Sequence, residues 1–248
     1  MAQERPLPSV VERMWGREPV TRRGPRPRLD LATITDAAIE IADAEGLTGV
    51  SMAAVASRVG VAATALYRYV DSKEDLLTAM TDGIVPPPPE PEGTPWRDYL
   101  ALWTRIQRDL LLEHAWLLSV VRLVPPLGPQ RLLWFDRALT ALEGTGLGPG
   151  EKVNVVTSLT GYALTDATLT YGLGVGDPQM ESASISGAAD YGEMLTGLID
   201  PETYPSLSAV LHEGAMHGAE GWVEDADFVF GLDLLLDGVE ALIGRRAR

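Results

Sequence analysis

The chain contains no cysteine, so it can form neither disulfide bridges nor thiolate metal sites, and a reducing cytoplasm is the expected compartment. Histidine is scarce, with three in 248 residues. Two of them, His212 and His217 in HEGAMH, evoke the zinc-protease pair, but five positions on a helix separate them by roughly 140° of rotation, so they cannot chelate together. His114 is far away along the chain. No apolar run approaches the roughly 20 residues needed to span a bilayer, and the start, MAQERPLPSV, lacks the apolar core of a signal peptide. GLGVG at 172–176 lacks the strand–turn–helix setting of a nucleotide loop. No Ser/His/Asp or Cys/His arrangement stands in a recognisable context. The expectation is a protein that is not an enzyme, carries no cofactor or metal, and has no membrane partner.

Basic residues are also in short supply, 20 Lys+Arg against 35 Asp+Glu for a net charge of −15, which at first argues against nucleic acid. Their distribution reverses that inference. Through Lys73 there are 10 basic and 9 acidic residues, and from Glu74 onward 10 and 26. The acidity belongs to the larger, C-terminal part. Within REPVTRRGPRPR, Arg22, Arg23, Arg26 and Arg28 form a Pro/Gly-broken basic run of the kind that reaches along a DNA backbone or into its minor groove. A solvated, disordered tail is the alternative for such a run.

Residues 51–69, SMAAVASRVGVAATALYRY, place small and apolar side chains where a helix-turn-helix requires them. Counting from Met52, Ala56 is fifth, where only a small side chain lets a second helix cross closely. Gly60 is ninth, where the chain must turn and φ > 0 is favoured. Leu66 is fifteenth, where the second helix plugs the shared core, and Val55, Val59 and Val61 add apolar contacts at helical spacing. In the DNA-binding form of this motif the second helix enters the major groove, which makes Ala62 to Tyr69 the candidate reading segment. Ala62, Ala63, Thr64, Tyr67, Arg68 and Tyr69 are the candidate contacts there. Ser51 is a further one, able to cap a helix or bond phosphate. In VDSKEDLL, Asp71 or Ser72 reads as an N-cap, and Lys73 opposes the dipole of the helix it begins. A phosphate partner would account for that lysine. Ahead of these, Asp30 reads as the N-cap of a first helix with Ile34, Ala37, Ala38 and Ile41 on one face, stopped at Gly46.

After Gly83, the segment IVPPPPEPEGTPW breaks all periodicity, and Pro86 to Pro89 predict a stiff, extended connection. Beyond it everything reads as helix. Trp96, Tyr99, Leu100, Trp103, Ile106 and Leu110 recur at spacings of three and four. AWLLSVVRLV is a short apolar piece, and a helix opens at Pro129. Helices follow over 150–172, around 188–199 and 204–217, and from Ala226 to Ile243. The 151–172 helix has few charges, and Asn154, Ser158, Gly161 and Thr165 share one face, so it is expected to be covered on most sides. One possible cover is the same helix of a second copy, with Gly161 and Ala163 permitting close approach and Leu232, Leu235, Leu236 and Val239 of the last helix completing a dimer interface. The other is a ligand cavity, lined by Trp103, Gln107, Trp116, Trp134, Asn154, Ser158 and Tyr162. Core filling and local backbone bonding remain alternatives for those aromatic and hydroxyl groups.

The helix DLATITDAAIEIADAEG, then SMAAVASRVGV, then ALYRYVDSKEDLL resemble the N-terminal DNA-binding domain of the tetracycline-repressor (TetR) family. The aromatic pair around Arg68 and the Ser72–Lys73 dipeptide are the most specific marks. Val70 stands where many members carry an aromatic residue, as in the tetracycline-type branch, and Ala62 and Ala63 stand where many carry a polar one. EHAWLL, GPQRLLWFDRALTALEGTGL, the TYPSL turn and FGLDLLLDGVEALI resemble segments of the tetracycline-repressor type of C-terminal domain. The tetracycline-type branch binds its drug as a magnesium chelate, but its metal ligands find no counterparts here.

The resulting expectation is an all-α protein. It comprises a basic arm over 1–29, expected to be disordered, a helix-turn-helix head over 30–83, a proline-rich linker over 84–95, and a ligand-binding and dimerisation body over 96–248. The resemblance implies a homodimeric regulator, foremost a repressor, bound to a palindromic double-stranded operator and released by a small hydrophobic or amphipathic effector. The helix over 72–83 is expected to act as coupler. Two readings stay open beside it: a helical small-molecule-binding or enzyme domain with a structural hairpin, and a DNA-binding regulator switched by a protein partner.

Overall fold

Capping side chains set the helix starts of the N-terminal region. In the computed structural model, which describes residues 7–17, 29–121, 126–172, 188–214 and 224–246, Asp30 accepts the Thr33 amide at 2.8 Å and opens α2 (Leu31–Gly49). Ser51 accepts the Ala54 amide and opens α3 (Met52–Val59). Ser72, of the two candidates, accepts the Asp75 amide and opens α5 (Lys73–Gly83). Asp75 in turn takes the Asp71 amide through its carboxylate at 3.1 Å, so two otherwise orphaned donors are satisfied reciprocally. α2 breaks where expected: Gly46 adopts φ 69°, and only a short helical turn continues to Gly49. Gly60, at φ 78°, ends α3, and the Val61 amide returns to the Ala56 carbonyl at 2.9 Å, a reversal a side chain would strain.

The second helix of the hairpin, α4 (Ala63–Leu66), is shorter than the expected 62–69. Residues 67–69 continue as turns, with the Tyr69 and Val70 amides both bonded to the Leu66 carbonyl. Ile34, Val55, Leu66, Val70, Leu76 and Met80 are completely buried and form the core of the head. A further helix, α1 (Ser9–Met14), lies in the segment expected to be a disordered arm; it buries Val10 and Val11 and packs against α5. The adjacent pair Val10–Val11 and a terminating Gly16 at φ 63° give it a face and a stop. The arginines at 22, 23, 26 and 28 lie outside the described residues.

Farther on come α6 (Trp96–Glu113), α7 (Leu117–Val120), α8 (Pro129–Ala141), α9 (Pro149–Gly172), α10 (Ala188–Leu198), α11 (Pro205–His212) and α12 (Glu224–Arg246). The regular structure among the described residues is thus all helix, as expected of an all-α chain. They group into two units: residues up to Trp96 with Glu113–Ala141, and Arg97–Leu112 with Leu142 onward. The grouping departs from a simple head–linker–body order, because 113–141 packs with the head. In that first unit the Trp134 indole donates to the Pro86 carbonyl at 2.6 Å, and Arg137 pairs with Glu90 at 3.1 Å, so the proline-rich segment lies pinned along α8.

In the second unit α9 packs on α12. Arg108 of α6, its side chain only 3% exposed, pairs with Asp166 of α9. Its guanidinium also lies 4.8 Å from the ring centre of Phe228 in α12, and Phe228 stacks on Tyr162 of α9 at 5.5 Å. Asp166 is the one acid past Lys152 in an otherwise uncharged helix; burial in such a helix requires a partner of opposite sign.

Candidate nucleic-acid interface

The reading segment faces outward. Ala62, Thr64, Tyr67 and Arg68 are exposed, Ala63 is half-buried, and Leu66 and Val70 anchor them from behind. Tyr67, half exposed, and Arg68 therefore stand free of the head's core, where a guanidinium can reach guanine or phosphate and a phenol can stack or donate. Tyr69 is different. Its hydroxyl donates to the Leu29 carbonyl at 2.7 Å, and Arg13 lies over its ring at 5.9 Å, so it braces the segment. Lys73 is exposed, with its amine donating to the Leu47 carbonyl at 3.2 Å. That contact places a positive charge beside the end of α2, where it is favoured, and supplies a structural reason for a lysine that reads from sequence only as a phosphate ligand. Ser51 spends its hydroxyl as a cap acceptor.

Contacts beyond the motif hold this head to the segment 113–141. One oxygen of Asp43, in α2, accepts from the His114 ring and from the Trp116 indole, both at 2.8 Å. At the end of α5, buried Asp82 accepts the Gln130 and Arg131 amides at 3.3 and 2.9 Å. These amides belong to the first turn of α8, outside its intrahelical ladder, and a carboxylate there meets the positive end of the helix dipole. Burial nonetheless pushes the Asp82 carboxyl up from its ordinary range, against the pull of those amides and of Arg131, and burial pushes the Arg131 guanidinium down. Neither partnership is visible in spacing, because Asp43 and Asp82 read as ordinary solvated positions on amphipathic helices.

The residues expected to line a ligand cavity fall in different places. Trp116 and Trp134 belong to the first unit, with their indole donors on Asp43 and Pro86. Trp103, Gln107 and Tyr162 belong to the second. Trp103 is buried, the Gln107 amide donates to the Trp103 carbonyl, and the Tyr162 hydroxyl donates to the Phe228 carbonyl at 2.9 Å. Asn154 and Ser158 are exposed and line a groove of about 280 Å³ between α9 and α12, with Leu235, Val239 and Leu242 on its other wall. Of the expected dimer contacts, Ala163, Leu232 and Leu236 are buried within the protomer. Gly161 is exposed, and Leu235 and Val239 are half-buried. Phe230 and Leu234, unremarked in the sequence, are the most exposed large apolar groups of α12, at 67% and 60%.

His212 bonds the Ser208 carbonyl at 2.8 Å, while His217 lies outside the described residues. Among the described residues no group of His, Asp or Glu is placed to hold a metal, and no helix is long and apolar enough to cross a membrane.

Comparison with known proteins agrees with this geometry. Residues 34–80 match the model of bacterial regulatory proteins of the tetR family, and residues 87–243 match that of the tetracyclin repressor-like C-terminal domain. The HTH-type transcriptional repressor DrrR1 of Streptomyces coeruleorubidus is 34% identical over 252 residues, spanning 96% of this chain and 87% of that protein. A possible TetR family regulator from Streptomyces coelicolor A3(2) superposes with a TM-score of 0.66 at 28% identity, over 86% of this chain and 100% of that one. The Streptomyces coelicolor protein ActR, in complex with actinorhodin, shares the fold with a TM-score of 0.72 at 23% identity, over 87% and 99% of the two chains. The chain belongs to the TetR family of bacterial regulatory proteins and is a DNA-binding transcriptional regulator of the helix-turn-helix type.

Proposed function

We propose that the protein is a repressor that binds a palindromic operator as a homodimer and is released by a small hydrophobic or amphipathic molecule. The observation that carries this reading is the outward presentation of Thr64, Tyr67 and Arg68 on a head whose turn is held by Gly60 and whose core is plugged by Leu66. A relative at 34% identity is named a repressor, which favours repression over activation. The basic arm around Arg22, Arg23, Arg26 and Arg28 adds sequence-independent affinity through counterion release.

Dimerisation is assigned to the outward face of α9 and α12. Phe230 and Leu234, with Leu169 of α9 at 55% exposure, are large apolar groups whose burial against a second copy is worth about 1.5–3 kcal/mol each. Gly161, exposed on α9, permits close approach there, whereas Leu235 and Val239 turn toward the groove between α9 and α12. Two heads on such a two-fold would read half-sites about 34–36 Å apart, or a multiple of that.

The effector is assigned to the second unit, near Trp103, Gln107 and Tyr162, where α6, α9 and α12 meet around the Arg108–Asp166 pair. Trp116 and Trp134 stand apart from this site because they belong to the first unit, and Asn154 and Ser158 line the exposed groove between α9 and α12 instead. A structural relative's complex with actinorhodin makes a compound of comparable size a suitable first probe. Release by about 100-fold requires only about 2.7 kcal/mol of differential affinity between the two states.

Footprinting of the full chain on the DNA upstream of its own gene, followed by titration with actinorhodin and a panel of apolar drugs, tests the reading. A salt-sensitive footprint over an inverted repeat is expected. Uniform, sequence-indifferent protection overturns it.

A further inference from the structure

α1 lies ahead of the part of the chain that the family's DNA-binding model covers, residues 34–80. Its contacts are nonetheless specific and polar at both ends. At its start the Ser9 hydroxyl donates to the Asp71 carboxylate at 2.6 Å. One turn on, Arg13 lies over the Tyr69 ring, so α1 bears on residues 69–71, the junction between the reading segment and α5. Beyond its end, the Trp15 indole donates to the Leu127 carbonyl at 2.8 Å. Leu127 immediately precedes Gly128, whose backbone lies against the Asp82 carboxylate at the far end of α5. Between those attachments Val10 and Val11, at 0% and 2% exposure, are buried as α1 packs on α5. A six-residue helix is about 9 Å long and the eleven-residue α5 about 16 Å, so α1 can cover about half of the coupler; it holds residues 69–71 at the start of α5 directly, and Trp15 ties its end to the loop beside Asp82.

We infer that α1 is a splint for the coupler helix, with Ser9, Arg13 and Trp15 acting as positioning residues that set the reading segment for base contact without touching DNA themselves. The physical argument is one of constraint. The reading helix α4 is a single turn, too short to hold its own direction; Leu66 and Val70 anchor it from behind, and what grips Tyr69 and Asp71 sets its remaining freedom. α1 supplies two of those grips and refers them to the α8 end of α5. Freed of α1, the head loses the cover of Val10 and Val11 on α5 but keeps the packing of α2 on α3 and α5 and of α3 on α4. The aim of Tyr67 and Arg68 loosens. Base readout requires that aim; backbone attraction does not.

The inference rests on the regulator reading, and the test separates the two. The full chain and the variants Ser9→Ala, Val11→Asp and Trp15→Phe are titrated by anisotropy against the duplex upstream of the gene and against a scrambled duplex of equal length. Val11→Asp, which undocks α1, is expected to weaken specific binding about tenfold. Trp15→Phe and Ser9→Ala, each removing a single hydrogen bond, are expected to weaken it about threefold. Affinity for the scrambled duplex is expected to stay unchanged throughout, so the specificity ratio falls. A merely structural loss would lower both affinities together; that result, or a ratio unchanged in all three variants, overturns the splint. A wild-type chain that does not distinguish the duplexes overturns the regulator reading as well.

Discussion

Gly128→Ala is the substitution whose effect follows most directly from the geometry. A Cβ at this position would lie 2.1 Å from the Asp82 Cγ, 2.2 Å from its Oδ1 and 2.6 Å from its Cβ. Because Asp82's own Cβ is among the clashing atoms, rotating the carboxylate away cannot relieve the overlap; the end of α5 or the loop before α8 must shift. That shift breaks the bonds from the Gln130 and Arg131 amides. Two lost hydrogen bonds at about 1 kcal/mol each, plus about 1–3 kcal/mol of overpacking strain, give a destabilisation of about 3–5 kcal/mol. At about 2–4 °C per kcal/mol for a chain of this size, the melting temperature should fall by roughly 10 °C. Differential scanning calorimetry measures this directly. On the Asp82→Ala background the same substitution should cost less, because the carboxylate atoms it overlaps most closely are gone and the bonds are already lost, although the residue's own Cβ still lies 2.6 Å away; the double variant is therefore non-additive. A Gly128→Ala protein that melts within about 2 °C of wild type, or strict additivity with Asp82→Ala, would refute the packing argument.

Other outcomes follow from single residues. Burial raises the Asp82 carboxyl above its ordinary 3.8, so the folded chain binds this proton more tightly than the unfolded one. Its contribution is fully present below the ordinary value and is lost as pH rises through the raised one; Asp82→Asn should flatten that part of the plot of melting temperature against pH, and an unchanged slope counts against it. Arg68→Ala, at an exposed position, should weaken specific operator binding by about tenfold or more with no change in melting, measured by gel shift and calorimetry. Arg108→Ala leaves Asp166 unpartnered in the second unit and should cost about 3–5 kcal/mol, read from urea unfolding; a loss under about 1 kcal/mol would show that water reaches the pair. Leu234→Asp with Phe230→Asp should turn the dimer into monomers by sedimentation velocity and abolish tight operator binding, and a persistent dimer would move the interface elsewhere.

The DNA-reading hairpin was legible without coordinates because its requirements are local. A small residue at 56, a glycine at 60 and a plug at 66 express sterics and backbone sterics-free turning within one short stretch, and the caps at Asp30, Ser51 and Ser72 act across three residues. The same holds for the helical periodicity of the C-terminal part, and for Asn154, Ser158, Gly161 and Thr165 sharing a face, which the structure leaves exposed. What no local pattern could encode was the partner across a long sequence separation. Ser9 with Asp71, Asp43 with His114 and Trp116, Asp82 with the start of α8, and Arg108 with Asp166 bring together charges and donors that look solvated when each helix is considered alone. Nor could spacing say which apolar residues of α12 turn inward: it put Leu232, Leu235, Leu236 and Val239 together at a dimer interface. Leu232 and Leu236 went to the core and Leu234 to the surface, because one helix carries apolar residues on more than one face and only packing against α9 selects which of them is covered. Sequence alone therefore marked the helices from Asp30 onward and the hairpin proposed to read DNA, while tertiary packing decided that residues 9–14 form a helix against α5, which polar groups hold the hairpin in place and which apolar groups stay exposed.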